Sequence, residues 1–245
     1  MQRILVLGGT SDAIQLTQKL LTFKQISIIY SLAGLVRQPK LDCTIHSGGF
    51  QGNMLAYLQA QQIDLVLDAT HPYAVNISQS ATKATQQQNI PYWHYNRPAW
   101  QATKLDNWSE FAQWQDLYPK LQAYKRPFFA WGREPLQHLE QIAKHQHWLV
   151  RTAIHYNISH PQLTLIQAIG GFSLQDEKQL YQRYGFDVVV CKNSGGQAVS
   201  SKLQLAQQLQ LPILMQQRPV KSVLKYRFDS INAMISALQT HFMTA

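Results

Sequence analysis

"LVLGGTSDAIQLTQKL", residues 5 to 20, sets an apolar run before two glycines and then a stretch whose Ala13, Leu16, Leu20 and neighbouring Leu21 share one helical face. A buried strand turning sharply into an amphipathic helix has this pattern. Glycines let backbone N–H groups approach a phosphate closely, and the start of a helix adds unpaired donors and the positive end of its dipole. Gly8, Thr10 and Ala13 stand where a dinucleotide-binding G-x-G-x-x-G/A fingerprint places its small residues, with Gly9 added. The match is partial, and a plain strand and helix capped by Thr10 or Ser11 fits the same letters.

Outward from this elbow the same rhythm repeats. "RILVLG" (3–8), "ISIIYS" (26–31), "CTIHSG" (43–48), "DLVLDA" (64–69) and "PYWHY" (91–95) are rich in the branched and aromatic residues that suit strands, and helical patterns lie between them at 11–24, 51–61 and 73–89. Alternation at this spacing implies a parallel sheet with helices on both faces. The rhythm lapses after "NRPAW" (96–100) and resumes at "RPFFAWG" (126–132). The second half reads as strands at 127–131, 148–152, 163–168, 187–191 and 212–216, with helices at 134–145, 174–184 and 197–209. The expected fold class is therefore α/β with mainly parallel sheets, and the lapse marks a domain boundary. The domain bounds are residues 1–100 for nucleotide binding, 101–125 as a connecting segment, and 126–245 for the substrate. The pattern leaves open which domain the last helix, about 229–242, packs on.

Composition narrows the function classes. At 245 residues, 45% apolar and 11% aromatic, the chain has enough to bury a large core. Two cysteines far apart, Cys43 and Cys191, make no disulfide framework. "ILVL" is too short for a signal-peptide core and no run of about 18 apolar residues occurs, so a cytoplasmic protein without a membrane partner is expected. Lys and Arg exceed Asp and Glu by 22 to 13, a net charge of +9 that attracts anions. The basic residues are scattered without a polybasic helix or zinc-finger spacing, which favours an anionic small molecule over nucleic acid. Histidines 145, 147, 155 and 160 lack any H-E-x-x-H or zinc-ligand pattern, so no metal is expected.

The second strand bears on the choice of cofactor. An NAD site ordinarily places Asp or Glu there to hold the ribose 2′-OH. Here the strand ends in Ser31, no acidic residue occurs between Asp12 and Asp42, and Arg37 follows, so NADPH is expected over NADH. At the end of the fourth strand, "DATHPYA" (68–74) places Asp68 or Thr70 to cap a helix and Pro72 in its first turn. His71 and Tyr73 are the candidate proton donors, alongside a bound water.

"CKNSGG" (191–196) forms a second polar, glycine-bearing elbow at a strand end, with Lys202 further along the helix that follows. Lys192, Asn193, Ser194, Gly195 and Gly196 fit an anion clamp, and Arg97 and Arg133 stand where each could pair with a carboxylate or simply face solvent.

Taken in order, "LGGTSDA", "SLAG", "GGFQG", "DATHPYA", "RPAW" and "KNSGG" give the chain a resemblance to the precorrin-6A reductase family over essentially its whole length. The resemblance implies an NADPH-dependent reductase of cobalamin biosynthesis, an α/β protein of two Rossmann-like domains with mainly parallel sheets and a ligand cleft between them, that saturates one double bond of a polycarboxylate macrocycle. It places the cofactor on Gly8, Gly9, Thr10, Ser11, Asp12, Ala13 and Ser31, with Gly49, Phe50, Ala69 and Thr70 nearby. It sets the macrocycle against the second elbow. The family commonly carries arginine directly after "SLAG", where this chain has Leu35 and then Arg37. Two other readings fit the residues: an NADP-dependent reductase or dehydratase of a small acidic substrate, and a nucleotide-sensing or nucleic-acid-binding module.

Overall fold

A computed structural model describes residues 1–33, 38–196, 200–220 and 225–244. The chain opens with β1 (Gln2–Leu7), α1 (Ser11–Leu20), β2 (Ile26–Leu32), β3 (Thr44–Ser47), α2 (Met54–Ala60), β4 (Leu65–Asp68), α3 (Val75–Gln88) and β5 (Tyr92–Tyr95). It continues with β6 (Trp108–Phe111), α4 (Trp114–Leu121), β7 (Pro127–Ala130), two 3-10 turns at Glu134–Gln137 and Leu139–Gln141, β8 (Trp148–Thr152) and β9 (Leu163–Gln167). Then follow α5 (Leu174–Tyr184), β10 (Val188–Lys192), α6 (Ser201–Gln208), β11 (Ile213–Gln216), β12 (Tyr226–Phe228) and α7 (Ile231–Thr244). None of the helices among the described residues is long and apolar enough to cross a membrane.

The chain divides into two units, one of Met1–Pro98 with Pro219–Ala245 and one of Ala99–Arg218. Each is built on a six-stranded sheet whose paired strands are all parallel. The first has the order β12-β5-β4-β1-β2-β3 and the second β6-β11-β10-β7-β8-β9. The five strands expected in the first hundred residues are present to within one residue at each end.

Burial follows the two-residue period of a strand covered on both faces. Ile4 and Val6 of β1 join a core with Leu16 and Leu20 of α1, whereas Leu5 and Leu7 join another with Met54 and Leu58 of α2. In the second unit Val188 and Val190 of β10 pack with Trp114, Leu117 and Trp148, and Val189 and Cys191 pack with Leu203 and Ala206 of α6. Helix ends obey local chemistry. Ser173 and Asp176 close a reciprocal capping box on α5, and Gly185 ends it in the left-handed region at φ 57°.

Three features differ from the sequence reading. Residues 101–125, expected as a connector, contain β6 and α4 and lie in the second unit. β6 pairs with β11, and Trp114, Leu117 and Leu121 bury one face of α4 despite Pro119 within it. The C-terminal stretch does the reverse: β12 extends the first sheet beside β5, and Ile231, Met234 and Leu238 of α7 enter the core of the first unit. Each sheet thus takes its sixth strand from a stretch adjoining the other unit in sequence. The third difference is the helix expected at 134–145, which is broken into two short turns. Side chains elsewhere take up its groups: His138 stacks on Trp114 at 3.9 Å, Trp114 Nε1 donates to Gln141 Oε1 at 2.7 Å, and Gln162 Nε2 donates to the Ala143 and Lys144 carbonyls at 2.9 and 3.2 Å.

Candidate functional site

In an open parallel sheet the crevice forms where neighbouring strands send their connections to opposite faces, beyond their carboxyl ends. In the first unit that point lies between β1 and β4. It joins two stretches singled out from the sequence, Gly8–Ala13 and Ala69–Tyr73. Thr10 ties them together. Its Oγ1 accepts from the Ala13 N–H at 3.1 Å as the cap of α1 and donates to the Ala69 carbonyl at 2.9 Å. One hydroxyl therefore sets both the start of the helix and the width of the crevice floor.

Gly8 is required for a reason the fingerprint does not state. A Cβ there would lie 2.2 Å from Cζ of Tyr30, a buried residue of β2. The Tyr30 hydroxyl in turn accepts from the Gly9 N–H at 2.9 Å, and the Ser31 carbonyl accepts from the Gly8 N–H at 2.8 Å. Gly9 has φ +93°, with nothing within 4 Å of the Cβ it lacks. The loop is thus pinned from below and open above. First-turn amides of a helix have no intrahelical acceptor, so those of Ser11 and Asp12 remain suited to an anion. The arrangement fits a nucleotide pyrophosphate.

The Asp12 carboxylate would oppose such an anion were it not paired. Arg97 Nε stands 3.0 Å from Asp12 Oδ2 in a largely buried ion pair. Arg97, weighed above as a substrate residue, thus belongs to the first unit and neutralises the carboxylate of the glycine loop. Ser31, at the carboxyl side of β2, is buried. Leu35 and Arg37 lie outside the described residues. Gly49 and Phe50 follow β3. The Gly49 carbonyl is 2.8 Å from His46 Nε2, and the Phe50 ring stacks on His46 at 4.9 Å and meets Tyr57 edge-on at 4.8 Å.

Beneath His71 lies a buried network that the sequence reading reached only in part. Asp68 Oδ1 accepts from the Thr70 N–H at 2.9 Å and its hydroxyl at 2.6 Å, while Oδ2 accepts from the Ser78 hydroxyl at 2.6 Å and the Tyr92 hydroxyl at 2.5 Å. Burial alone would raise the Asp68 carboxyl, but the neighbouring His94 charge and the bonds from Ser78, Thr70 and Tyr92 outweigh it and hold the group below its ordinary range. Burial and then the Asp68 charge push the Tyr92 phenol upward. His71 Nδ1 is 3.4 Å from the Tyr73 N–H, and the two rings lie 5.6 Å apart.

The second unit has its corresponding switch between β7 and β10. Lys192–Gly196 leave the end of β10, and Arg133, exposed, follows β7. By strand position the elbow at 191–196 matches the β4 connection of the first unit. The counterpart of "LGGTSD" is "AWGREP" (130–135), which leads into a 3-10 turn without a long helix behind it. Asn193, expected to touch substrate, has its side-chain amide on the main chain of Trp100: Oδ1 accepts from the Trp100 N–H and Nδ2 donates to its carbonyl, both at 2.9 Å. Gly195 and Gly196 hold φ of 69° and 121°. Arg218, unnoticed in the sequence, donates from Nε to the Asn193 carbonyl at 2.8 Å and from Nη2 to that of Ser194 at 3.0 Å. Burial pushes the Lys192 ammonium down, with Glu134 opposing.

A pocket at the carboxyl edge of this sheet joins Lys202, noted in the sequence, to Arg151 and Glu177, which the sequence reading passed over. Its signal was present. "IGGFS" (169–173) sets a glycine pair between a strand and a capped helix just as residues 8–11 do, and "WLVRT" (148–152) carries an arginine at a strand end.

Comparison with known proteins agrees with this architecture. A family model described as "Precorrin-6x reductase CbiJ/CobK" matches residues 3–239. The precorrin-6A reductase of Rhodococcus erythropolis is 34% identical over 226 residues, which are 89% of this chain and 90% of its own. The cobalt-precorrin-6A reductase of Methanococcus maripaludis is 28% identical over 204 residues, 78% and 81% of the two chains. The solved structure of CobK precorrin-6A reductase matches with a TM-score of 0.87 at 29% identity, covering 98% of this chain and 97% of that one. With its two parallel sheets and the glycine-bearing elbows at their carboxyl edges, the chain belongs to the precorrin-6x reductase family.

Proposed function

We propose that this chain reduces one carbon–carbon double bond of a corrin-precursor macrocycle, precorrin-6A or cobalt-precorrin-6A, to the 6B form in cobalamin biosynthesis, with NADPH as reductant and in the cytoplasm. Family membership supports a reductase of such a bond, and a reductase of this kind implies a nicotinamide cofactor. The observation that carries the reading is the Thr10 bridge to Ala69, which holds open helix-end amides beside His71. When bound, the reduced nicotinamide supplies a hydride to the electron-poor carbon, and its neighbour takes a proton.

The protein's part is binding, orientation and that proton. The amides of Ser11 and Asp12 hold the pyrophosphate, and the Arg97 partner removes the repulsion Asp12 would exert. Ser31 in place of an acid leaves room for a 2′-phosphate, with Arg37 as its partner. Lys192, Ser194, Gly195, Gly196 and Arg133 face the substrate's carboxylates, and Asn193 shapes the elbow through Trp100. His71, in its imidazolium form, donates the proton and is left as neutral imidazole, with Tyr73 the next candidate.

Anaerobic incubation with NADPH and metal-free or cobalt-bearing precorrin-6A tests the reaction. NADPH absorbance is expected to fall one-for-one with a shift in the macrocycle band, and NADH to serve much more slowly. No oxidation with either macrocycle would overturn the proposal, and equal rates with NADH would remove the cofactor preference. His71→Ala is expected to lower kcat about 100-fold, in the range of a lost general acid, without changing the Kd for NADPH. Wild-type turnover in that variant, with loss in Tyr73→Phe, transfers the role to the tyrosine.

A further inference from the structure

The loop that leads from β3 into α2 has a shape that its own backbone does not specify. Gly48, Gly49, Gln51 and Gly52 have φ of 98°, 75°, 49° and 79°. Glycine occupies either hand of φ about equally, so the glycines give the loop no preference, and Gln51 disfavours the conformation it adopts. Nothing lies within 4 Å of the Cβ that Gly48, Gly49 or Gly52 lacks, so no neighbour presses these residues into place. Among the described residues the main-chain ties of the loop are at its ends: the Gly48 N–H donates to the Leu32 carbonyl at 3.2 Å and the Asn53 N–H to the Phe50 carbonyl at 2.8 Å.

His46, within β3, supplies the tie between them. Its Nε2 donates to the Gly49 carbonyl at 2.8 Å, because a carbonyl can only accept. The ring stacks on Phe50 at 4.9 Å and lies 4.5 Å from the ring of Tyr57 in α2, which meets Phe50 edge-on at 4.8 Å. One side chain thus holds both a carbonyl of the loop and the ring that follows it. The carbonyl and N–H of a trans peptide point in opposite directions, so the bond to Gly49 also sets the direction of the Phe50 N–H. That N–H has no acceptor among the described residues.

The position of this donor bears on the cofactor. Ser31 of β2 is the register partner of His46, and it stands two residues after Ile29, which packs with Phe50 and Tyr57. Ser31 and the three rings therefore share one face of the sheet. In a dinucleotide site the end of the second strand meets the adenosine ribose. We propose that His46 is a positioning residue for the adenosine half of the cofactor: by holding the Gly49 carbonyl and the Phe50 ring, it fixes the Phe50 N–H as a donor to the oxygens of the adenosine ribose. This rests on the nucleotide site of the function proposed above.

Adenosine 2′,5′-bisphosphate, which carries the adenosine half without the nicotinamide, is titrated into the full chain by calorimetry and by NMR, and the KM for NADPH is measured with precorrin-6A. The bisphosphate is expected to shift the Phe50 amide signal of the wild type. His46→Ala is expected to raise the Kd for the bisphosphate and the KM for NADPH together by about 10- to 30-fold, with kcat at saturating NADPH kept. His46→Phe keeps the stacking without the donor and His46→Gln keeps a donor without the ring, so each is expected to lose about 3- to 5-fold. Variants that bind the bisphosphate like the wild type overturn the positioning role and leave the nucleotide site standing. So does a fall in kcat with the bisphosphate Kd unchanged, which is the mark of a merely structural residue. A wild-type titration that binds the bisphosphate but leaves the Phe50 amide still overturns the role even if no variant folds. Wild-type protein that binds neither the bisphosphate nor NADPH removes the nucleotide site and this inference with it.

Discussion

Gly8→Ala is expected to lose nucleotide binding by more than about 100-fold and to destabilise the first unit by about 3 kcal/mol. The added methyl carbon would fall 2.2 Å from Tyr30 Cζ and 2.4 Å from its hydroxyl oxygen, far inside van der Waals contact. Tyr30 is 1% exposed and cannot swing outward without opening the core around Ile4, Val6 and Leu16. Relief must come from the loop, which then gives up the Gly9 bond to the tyrosine hydroxyl and displaces the amides of α1. The tyrosine contact can be isolated by a double variant. Tyr30→Leu removes the ring, so Gly8→Ala should cost much less in its presence, and the coupling can be read from a double-mutant cycle of thermal unfolding. NADPH affinity within twofold of wild type in Gly8→Ala would show that the ring does not constrain this loop.

Asp68→Ala is expected to cost about 4 kcal/mol, because four donors would lose a buried acceptor and the His94 charge its partner. Asp68→Asn should cost about half as much. Its oxygen can serve the Thr70 amide, and the Ser78 and Tyr92 hydroxyls can turn to accept from its NH2 group. The pH dependence separates charge from shape. The folded Asp68 carboxyl lies below its ordinary value of 3.8, so the unfolded chain binds the proton first. Its contribution is therefore complete above about pH 4 and is lost as pH falls through the lower folded value. Denaturant unfolding from neutral pH downward should show this acid loss in wild type and a smaller one in Asp68→Asn. Identical acid profiles would mean that the carboxylate is not ionised in the folded protein. Because Thr70 adjoins His71, loss of activity exceeding loss of stability in Asp68→Asn would identify Asp68 as a positioning residue for the proposed proton donor.

Much of the first site was legible because its signals are local. Glycines at a strand end, Thr10 as a cap and the absence of an acid after Asp12 can be read within about thirty residues of chain. Tyr30 was not legible as the reason for Gly8: the two meet only through the register that sets Leu7 beside Ser31. Asp68 could be placed at a strand end from its letters, whereas its service to Ser78 and Tyr92 depends on a helix and a strand returning over it. In the second unit Asn193 has the composition of a ligand residue, yet it bonds to Trp100, 93 positions earlier.

By itself the sequence determined the layers: period-two apolar runs specify strands covered on both faces, period-3.6 runs specify the helices that cover them, and glycine-bearing turns mark the carboxyl ends where anions bind. Those preferences arise from the backbone of a few consecutive residues. Tertiary structure alone decided which sheet takes β6 and which takes β12, because an edge strand of three or four residues is selected by the open row of hydrogen bonds it meets. It also decided that Arg97 would neutralise Asp12, that the 134–145 stretch would give up its helix to Trp114 and Gln162, and that Lys202 would line a pocket with no carboxylate partner among the described residues. Each of these depends on groups distant in sequence, whose attraction acts only after the chain has brought them together.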